Sequence, residues 1–230
     1  MMEERITSRK NPLLQQVKKL LTSGKARKEA GLFVSDGIQA EVPEHVRVVR
    51  VPGDVMESIS PMQAPQGALF LCRLPEKKTF IPQKGMLLLD GIQDPGNIGT
   101  ILRTADALEI PVVLLEGCAD PYSHKVVRSS MGAVFRTPVV QTTWKQALAA
   151  CANANIPVAV TALSETSVDL RQAKLTDMAV VIGSEGQGVR GEILEAANAQ
   201  LIIPMNQRCE SLNAAIAAAI VMWQMKQDIY

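Results

Sequence analysis

Short, unbroken apolar runs constrain this chain more than any other feature: MLLLD (86–90), VVLLE (112–116), PVAVT (157–161), AVVIG (179–183) and QLIIP (200–204). None alternates apolar with polar, so each predicts a strand covered on both faces rather than one with a wet side. Helical stretches at 97–108, 144–154, 188–198 and 210–227 separate most of them. Buried strands alternating with helices predict an α/β fold, a parallel sheet between helical layers. Ligands of such sheets sit beyond the carboxyl ends of the strands. Three irregular segments fall on that rim: DGIQDPGNIG (90–99), GSEGQG (183–188) and PMNQRCESLN (204–213).

At 230 residues the chain can bury one large core, or one domain with a small companion. The opening MMEERITSRK has no apolar stretch of the secretory kind, and the longest apolar run, Ala214–Trp223, is too short to span a bilayer. A cytoplasmic protein without a membrane partner is therefore expected. Cys72, Cys118, Cys151 and Cys209 are scattered, with only His45 and His124 for company, which predicts neither a disulfide framework nor a metal site.

The overall charge of +1 hides an asymmetry, because residues 5–28 hold eight Lys or Arg and no acid. Arg9, Lys10, Lys18, Lys19, Lys25, Arg27 and Lys28 are candidate contacts to a polyanion such as RNA; a solvated helix face is the plainer reading. Asn11-Pro12 reads as an N-cap and first-turn proline, and Leu13, Leu14, Val17, Leu20 and Leu21 follow with helical spacing up to Ser23-Gly24. GLFVSDG (31–37), VRVVRV (46–51) and ALFLC (68–72) read as strands, punctuated by prolines. Residues 1–80 thus predict a small α/β domain with a linker, and 84–230 the larger domain.

The rim segments lack the G-x-G-x-x-G dinucleotide fingerprint and the G-x-x-x-x-G-K-[ST] phosphate loop. In the first, Asn97 and Arg103 are expected to project toward one strand end, Arg103 holding a phosphate in forked geometry; alternatively Arg103 snorkels and Asn97 caps its helix. In the second, Glu185 would repel a phosphate. Gly183, Gly186 and Gly188 either let the backbone approach a neutral or cationic ligand, or form a tight turn with Glu185 on a helix dipole. In the third, Ser211 and Asn213 cap a helix or face a ligand, and five alanines between 214 and 219 allow close packing. Lys125 and Arg128 lie on a polar helix ending at Gly132, a second RNA contact or an ordinary surface.

Together and in order, N-x-G-x-x-x-R-x-A (Asn97, Gly99, Arg103, Ala105), G-S-E-G-Q-G (183–188), I-P-M (203–205) with E-S-L-N (210–213), and K-x-x-R-S-S-M-G-A (125–133) resemble the SpoU (TrmH-type) branch of the SPOUT RNA 2′-O-ribose methyltransferases. The resemblance covers about 84–227. It implies a parallel sheet with a deep C-terminal trefoil knot, and S-adenosylmethionine held by Gly183, Glu185, Gly186, Ile203, Met205, Ser211 and Leu212. It also implies a homodimer through the C-terminal helix 210–227, in which Arg103 of one subunit can act at the other's site. Arg103 would clamp an RNA phosphate that helps deprotonate the ribose hydroxyl, with Asn97, Glu185, Ser211 and Asn213 orienting the groups. The N-terminal part resembles a shortened RNA-binding domain akin to small ribosomal proteins, with Asp36-Gly37 where Glu-Gly is usual. This favours ribosomal over transfer RNA. The readings of other classes are a non-catalytic RNA-binding or assembly protein on the same fold and a nucleotide-dependent oxidoreductase.

Overall fold

The computed structural model describes residues 4–37, 46–62, 67–137, 139–164, 166–206, 208 and 211–227. The chain forms two compact units, Met1–Glu76 with Tyr122–His124, and Lys77–Pro121 with Lys125–Tyr230.

The first unit contains β1 (Glu4–Arg5), α1 (Pro12–Thr22), α2 (Gly24–Ala30), β2 (Leu32–Gly37), β3 (Val49–Arg50), α3 (Gly53–Ile59) and β4 (Ala68–Arg73). Asn11 caps α1 as expected, its side chain accepting from the Leu13 N–H at 2.9 Å. α1 ends at Thr22 with Ser23 as its C-cap, as expected, and the same serine caps a second helix, α2, at once, accepting from the Ala26 N–H at 3.2 Å. The 46–51 run yields only the two residues of β3, paired in parallel with β1, and the proline-rich stretch contains α3. β2 and β4 form an antiparallel ladder from Leu32–Arg73 to Gly37–Ala68. Leu14, Val55, Ile59 and Ile6 form one small core; Val17, Leu20 and Val34 form another. The isolated His124 is a satisfied buried histidine, with Nε2 3.0 Å from Asp36 Oδ1. Residues 38–45, His45 among them, lie outside the described residues.

The second unit runs β5 (Met86–Leu89), α4 (Pro95–Ala107), β6 (Val112–Leu114), α5 (His124–Ser129, its first residue counted with the other unit), α6 (Ala133–Arg136), β7 (Val140–Gln141), α7 (Trp144–Asn153), β8 (Val158–Thr161), β9 (Val168–Asp169), β10 (Ala179–Ile182), α8 (Gly191–Ala196), β11 (Ala199–Ile202) and α9 (Ala214–Gln227). All seven strands are parallel, in the order β7-β6-β5-β10-β8-β11-β9. The five apolar runs supply the five inner strands. Leu87, Leu89, Val180 and Ile182 face α4 and α9 on one side; Met86, Leu88, Val181 and Val160 face α7 and α8 on the other. This two-sided burial removes the alternation a half-wet strand would show. The edge strands β7 and β9 are two residues each and carry no apolar run that could announce them.

Candidate active site

Where β10 ends, Gly183–Gly188 turns tightly on itself: the Ser184 N–H donates to the Gly188 carbonyl at 3.1 Å, and the Gly188 N–H to the Ser184 carbonyl at 2.8 Å. A Cβ on Gly183 would lie 2.1 Å from the Gly188 carbonyl carbon, so only glycine permits this closure. The loop is anchored to the neighbouring strand end by a pair the sequence reading missed. Asp90, 1% exposed, accepts from the Arg190 backbone N–H at 2.9 Å and from its Nε at 2.7 Å. Arg190 Nη1 also lies 3.4 Å from Glu116 and 3.1 Å from Glu192. For Arg190, burial opposes the charge, but its bonds to Asp90 and Glu116 outweigh that and hold its pKa above the ordinary value. For Glu116, burial pushes up, yet backbone N–H donors, the Trp144 N–H among them, and Arg190 bring the carboxyl below the usual range. The available signal was an acid closing the apolar run MLLLD and an arginine two residues beyond the glycine loop. Burial pushes the nearby Cys118 thiol up to about 11, which removes it as a neutral-pH nucleophile.

Three rim segments meet at one hydrogen-bonded cluster. α4 begins at Pro95 and is capped by Asp94, which accepts from the Asn97 N–H at 2.9 Å. Asn97 is therefore not the cap, and its amide is released for other partners. Its Nδ2 donates to Glu185 Oε1, and its Oδ1 accepts from Asn213 Nδ2 at 3.0 Å. Asn213, not Ser211, caps α9, accepting from the N–H groups of Ala215 at 2.9 Å and Ile216 at 3.3 Å. Glu185 Oε1 also accepts from the Ala214 N–H at 3.3 Å. Glu210, at the expected start of this helix, lies outside the described residues.

Beside the cluster opens a cavity of about 550 Å³, of the size that holds a cofactor. Gly183, Glu185, Gly186, Ile203, Met205, Ser211 and Leu212 all line it. So do Thr161–Ser164 at the end of β8, a segment the sequence reading passed over although Thr161 is the polar residue closing an apolar run. Among the described residues of the lining, Glu185 is the one carboxylate and none is Lys, Arg or His.

Arg103 is not part of this lining. It is exposed, and among the described residues it has no hydrogen-bond or ion-pair partner. The expectation that it projects with Asn97 is corrected by helix geometry. Six residues turn the helix by about 600°, leaving the two side chains about 120° apart and about 9 Å apart along the axis.

In the first unit Arg27 departs from its expected role. It is 5% exposed and donates to the Leu20 carbonyl at 2.5 Å, tying α2 to α1, so it does not face a polyanion. Lys10, Lys19 and Lys28 are exposed and Lys18 is half-buried. Arg9 pairs with Asp54 at 2.8 Å and Lys25 with Glu29 at 3.8 Å, both on the surface. In the second unit Lys125 and Arg128 are exposed on α5. Among the described residues, no His, Cys, Asp or Glu cluster could hold a metal, and no helix is long and apolar enough to cross a membrane.

The SpoU rRNA Methylase family model matches residues 84–223. The 23S rRNA (guanosine(2553)-2′-O)-methyltransferase RlmP of Bacillus subtilis (strain 168) is 32% identical over 190 residues, 82% of this chain and 76% of that protein. The AdoMet-bound rRNA methyltransferase from Sinorhizobium meliloti superposes with a TM-score of 0.89 at 27% identity, covering 99% of both chains. The SpoU methyltransferase AviRb from Streptomyces viridochromogenes, in complex with AdoMet, gives a TM-score of 0.81 over 95% of this chain and 99% of that one; at 23% identity it bears on the fold alone. This chain belongs to the SpoU rRNA methylase family.

Proposed function

We propose that this protein transfers a methyl group from S-adenosylmethionine to a ribose 2′-hydroxyl of ribosomal RNA, as a cytoplasmic homodimer with a knotted C-terminal region. The observation that carries this reading is the cavity at the rim, together with its charge. The described lining, with Glu185 as its carboxylate and no cation among its described residues, suits a ligand bearing ammonium and sulfonium groups and disfavours a dinucleotide pyrophosphate. The apolar side chains of Ile182, Ile202, Ile203 and Leu212 offer the walls an adenine needs, and Ser211, Thr161 and exposed backbone offer hydrogen bonds. A Cβ on Gly186 would meet nothing within 4 Å, so that position opens onto free space. Bound there, S-adenosylmethionine supplies an electrophilic methyl.

The chain's own groups must then bring in a ribose oxygen and help remove its proton. A guanidinium is a poor base, since its pKa exceeds about 12. Arg103 instead clamps the RNA phosphate beside the target ribose, and that phosphate helps take the proton. Glu185, fixed by Asn97 and the Ala214 N–H, and Asn213, fixed by Asn97 and its own cap, hold the ribose side of the site. The exposure of Arg103 away from the cavity of its own chain supports action across a dimer. The exposed cations of α1, α2 and α5 are the proposed RNA contacts, with Arg27 excluded. The short reach of β11 between β8 and β9, followed by a return to α9, is the topology in which the knot would lie.

The test is tritium transfer from S-adenosylmethionine to ribosomal RNA by the full chain, with the product mapped by ribose-methylation sequencing. Label is expected at a ribose, and Arg103→Ala should lower the rate roughly 10²–10³-fold, the range for one preorganised charge stabiliser. Unchanged turnover in that variant removes Arg103 from the mechanism; label on transfer RNA alone overturns the substrate assignment.

A further inference from the structure

Arg103 stands on a stripe of α4 whose flanks are built by residues 129–137. One turn before it, a Cβ on Gly99 would lie 1.8 Å from Ser129 Oγ, so the backbones nearly touch there. Three residues after it, Asp106 accepts from Arg136 Nε at 2.9 Å and from Thr137 Oγ1 at 2.8 Å. Between these two anchors the chain leaves two large side chains in solvent, Met131 at 65% exposure and Phe135 at 55%. Phe135 stands out in a chain that is only 3% aromatic. Met131 adopts φ 49° without being a glycine, and the backbone conformation is followed by Gly132 at φ 87°. Strain of that kind persists where the surroundings impose it, and here it turns an apolar side chain outward.

The same segment is strongly one-signed. From Lys125 to Thr137 it contains Lys125, Arg128 and Arg136 and no acid, and Lys125 and Arg128 share the exposed side of α5. An exposed aromatic and a thioether set among cations beside a catalytic arginine form a surface for single-stranded nucleic acid, stacking bases while tracking phosphates. We infer that Phe135 and Met131 form a nucleobase platform that receives an unstacked base next to the methylated ribose. The occupant is RNA rather than a protein partner because the segment that carries the apolar pair holds the exposed cations Lys125 and Arg128 and no acid from 125 to 137, its Arg136 being already paired with Asp106 of α4. The inference rests on the RNA-methylating reading and deepens it: the target is single-stranded or splayed open, with affinity shared between stacking and charge.

The two contributions separate in salt. Binding of a fluorescein-labelled oligo(A) dodecamer to the full-length protein is measured across a salt titration for wild type, Phe135→Ala, Phe135→Trp and Lys125→Ala. Phe135→Ala should weaken binding about fivefold or more while leaving the salt slope unchanged, and Phe135→Trp should restore it. Lys125→Ala should flatten the slope instead. Equal affinity in Phe135→Ala, or loss that Phe135→Trp does not restore, overturns the platform. Dissociation of a dimer by Phe135→Ala in sedimentation equilibrium also overturns it, assigning the face to contact between copies. The reading beneath it fails separately, when wild type transfers no methyl to ribosomal RNA.

Discussion

Asp90 carries the site without touching its ligand. A carboxylate at the end of a central strand, almost without solvent, needs compensation, and Arg190 provides it through a backbone and a side-chain donor. Because Arg190 stands two residues beyond the glycine loop, the pair sets where Gly183–Gly188 stands relative to β5. Asp90→Asn preserves shape while removing the charge. Glu116 and Glu192 remain to partner the guanidinium, so the expected loss of stability is moderate, about 1–3 kcal/mol, read as a lower urea midpoint at constant slope. The sharper consequence is kinetic. A loosened loop should raise KM for S-adenosylmethionine while kcat at saturation stays near wild type. A fall in kcat alone, with KM unchanged, would show that Asp90 does not position this loop. The pair was hidden in the sequence because its partners are 100 residues apart. Within each local window, the acid and the arginine look like ordinary punctuation.

At the scale of elements, α4 shows what was legible and what was not. The helix itself was legible as the stretch 97–108, and its apolar face, Ile98, Ile101, Leu102 and Ala105, is fully buried. The inner strands were equally plain, since burial on both faces writes itself as an unbroken run. The edge strands β7 and β9, the helix α2 and the true start of α4 were not: each is set by a cap or by one or two pairing partners rather than by periodicity. The same helix holds α6 through Asp106, where hydrogen bonds from Arg136 and then Thr137 outweigh slight burial and bring the carboxyl below its ordinary 3.8. A carboxyl depressed in the folded state contributes stability that is complete above its unfolded pKa and is lost as pH falls through the folded value. Asp106→Asn should therefore differ most from wild type at neutral pH and converge with it as pH falls below the carboxyl's depressed folded value, in urea midpoints measured down the acid range. A constant difference down to the acid limit would mean that the bond acts through shape rather than charge.

At the scale of the whole molecule, one helix is left with an uncovered apolar face. From Ala214 to Trp223 α9 is apolar on every side, and such a stretch belongs in an interior. One face, Ala214, Ala218, Val221, Met222 and Met225, is buried against the sheet and α4; the other leaves Ile216 at 52%, Ile220 at 37% and Trp223 at 60% exposure. A second copy is the proposed cover, and Ile220→Glu or Trp223→Glu should shift sedimentation equilibrium from the dimer to the 24.9 kDa chain. The proposed dimer would also let Arg103, which does not line its own cavity, serve the partner's, and mixing two inactive proteins tests this. Arg103→Ala lacks the clamp but keeps the cavity. Gly186→Leu keeps the clamp and fills the cavity, without backbone strain, since nothing stands within 4 Å of its Cβ. If the arginine serves the partner's cavity, a mixed dimer gathers both defects into one of its two sites and leaves the other whole. Random exchange then restores about a quarter of wild-type turnover per dimer, because half the dimers are mixed and each has one working site. If the arginine serves its own chain, every site in the mixture carries a defect, and turnover stays at the level of the separate variants.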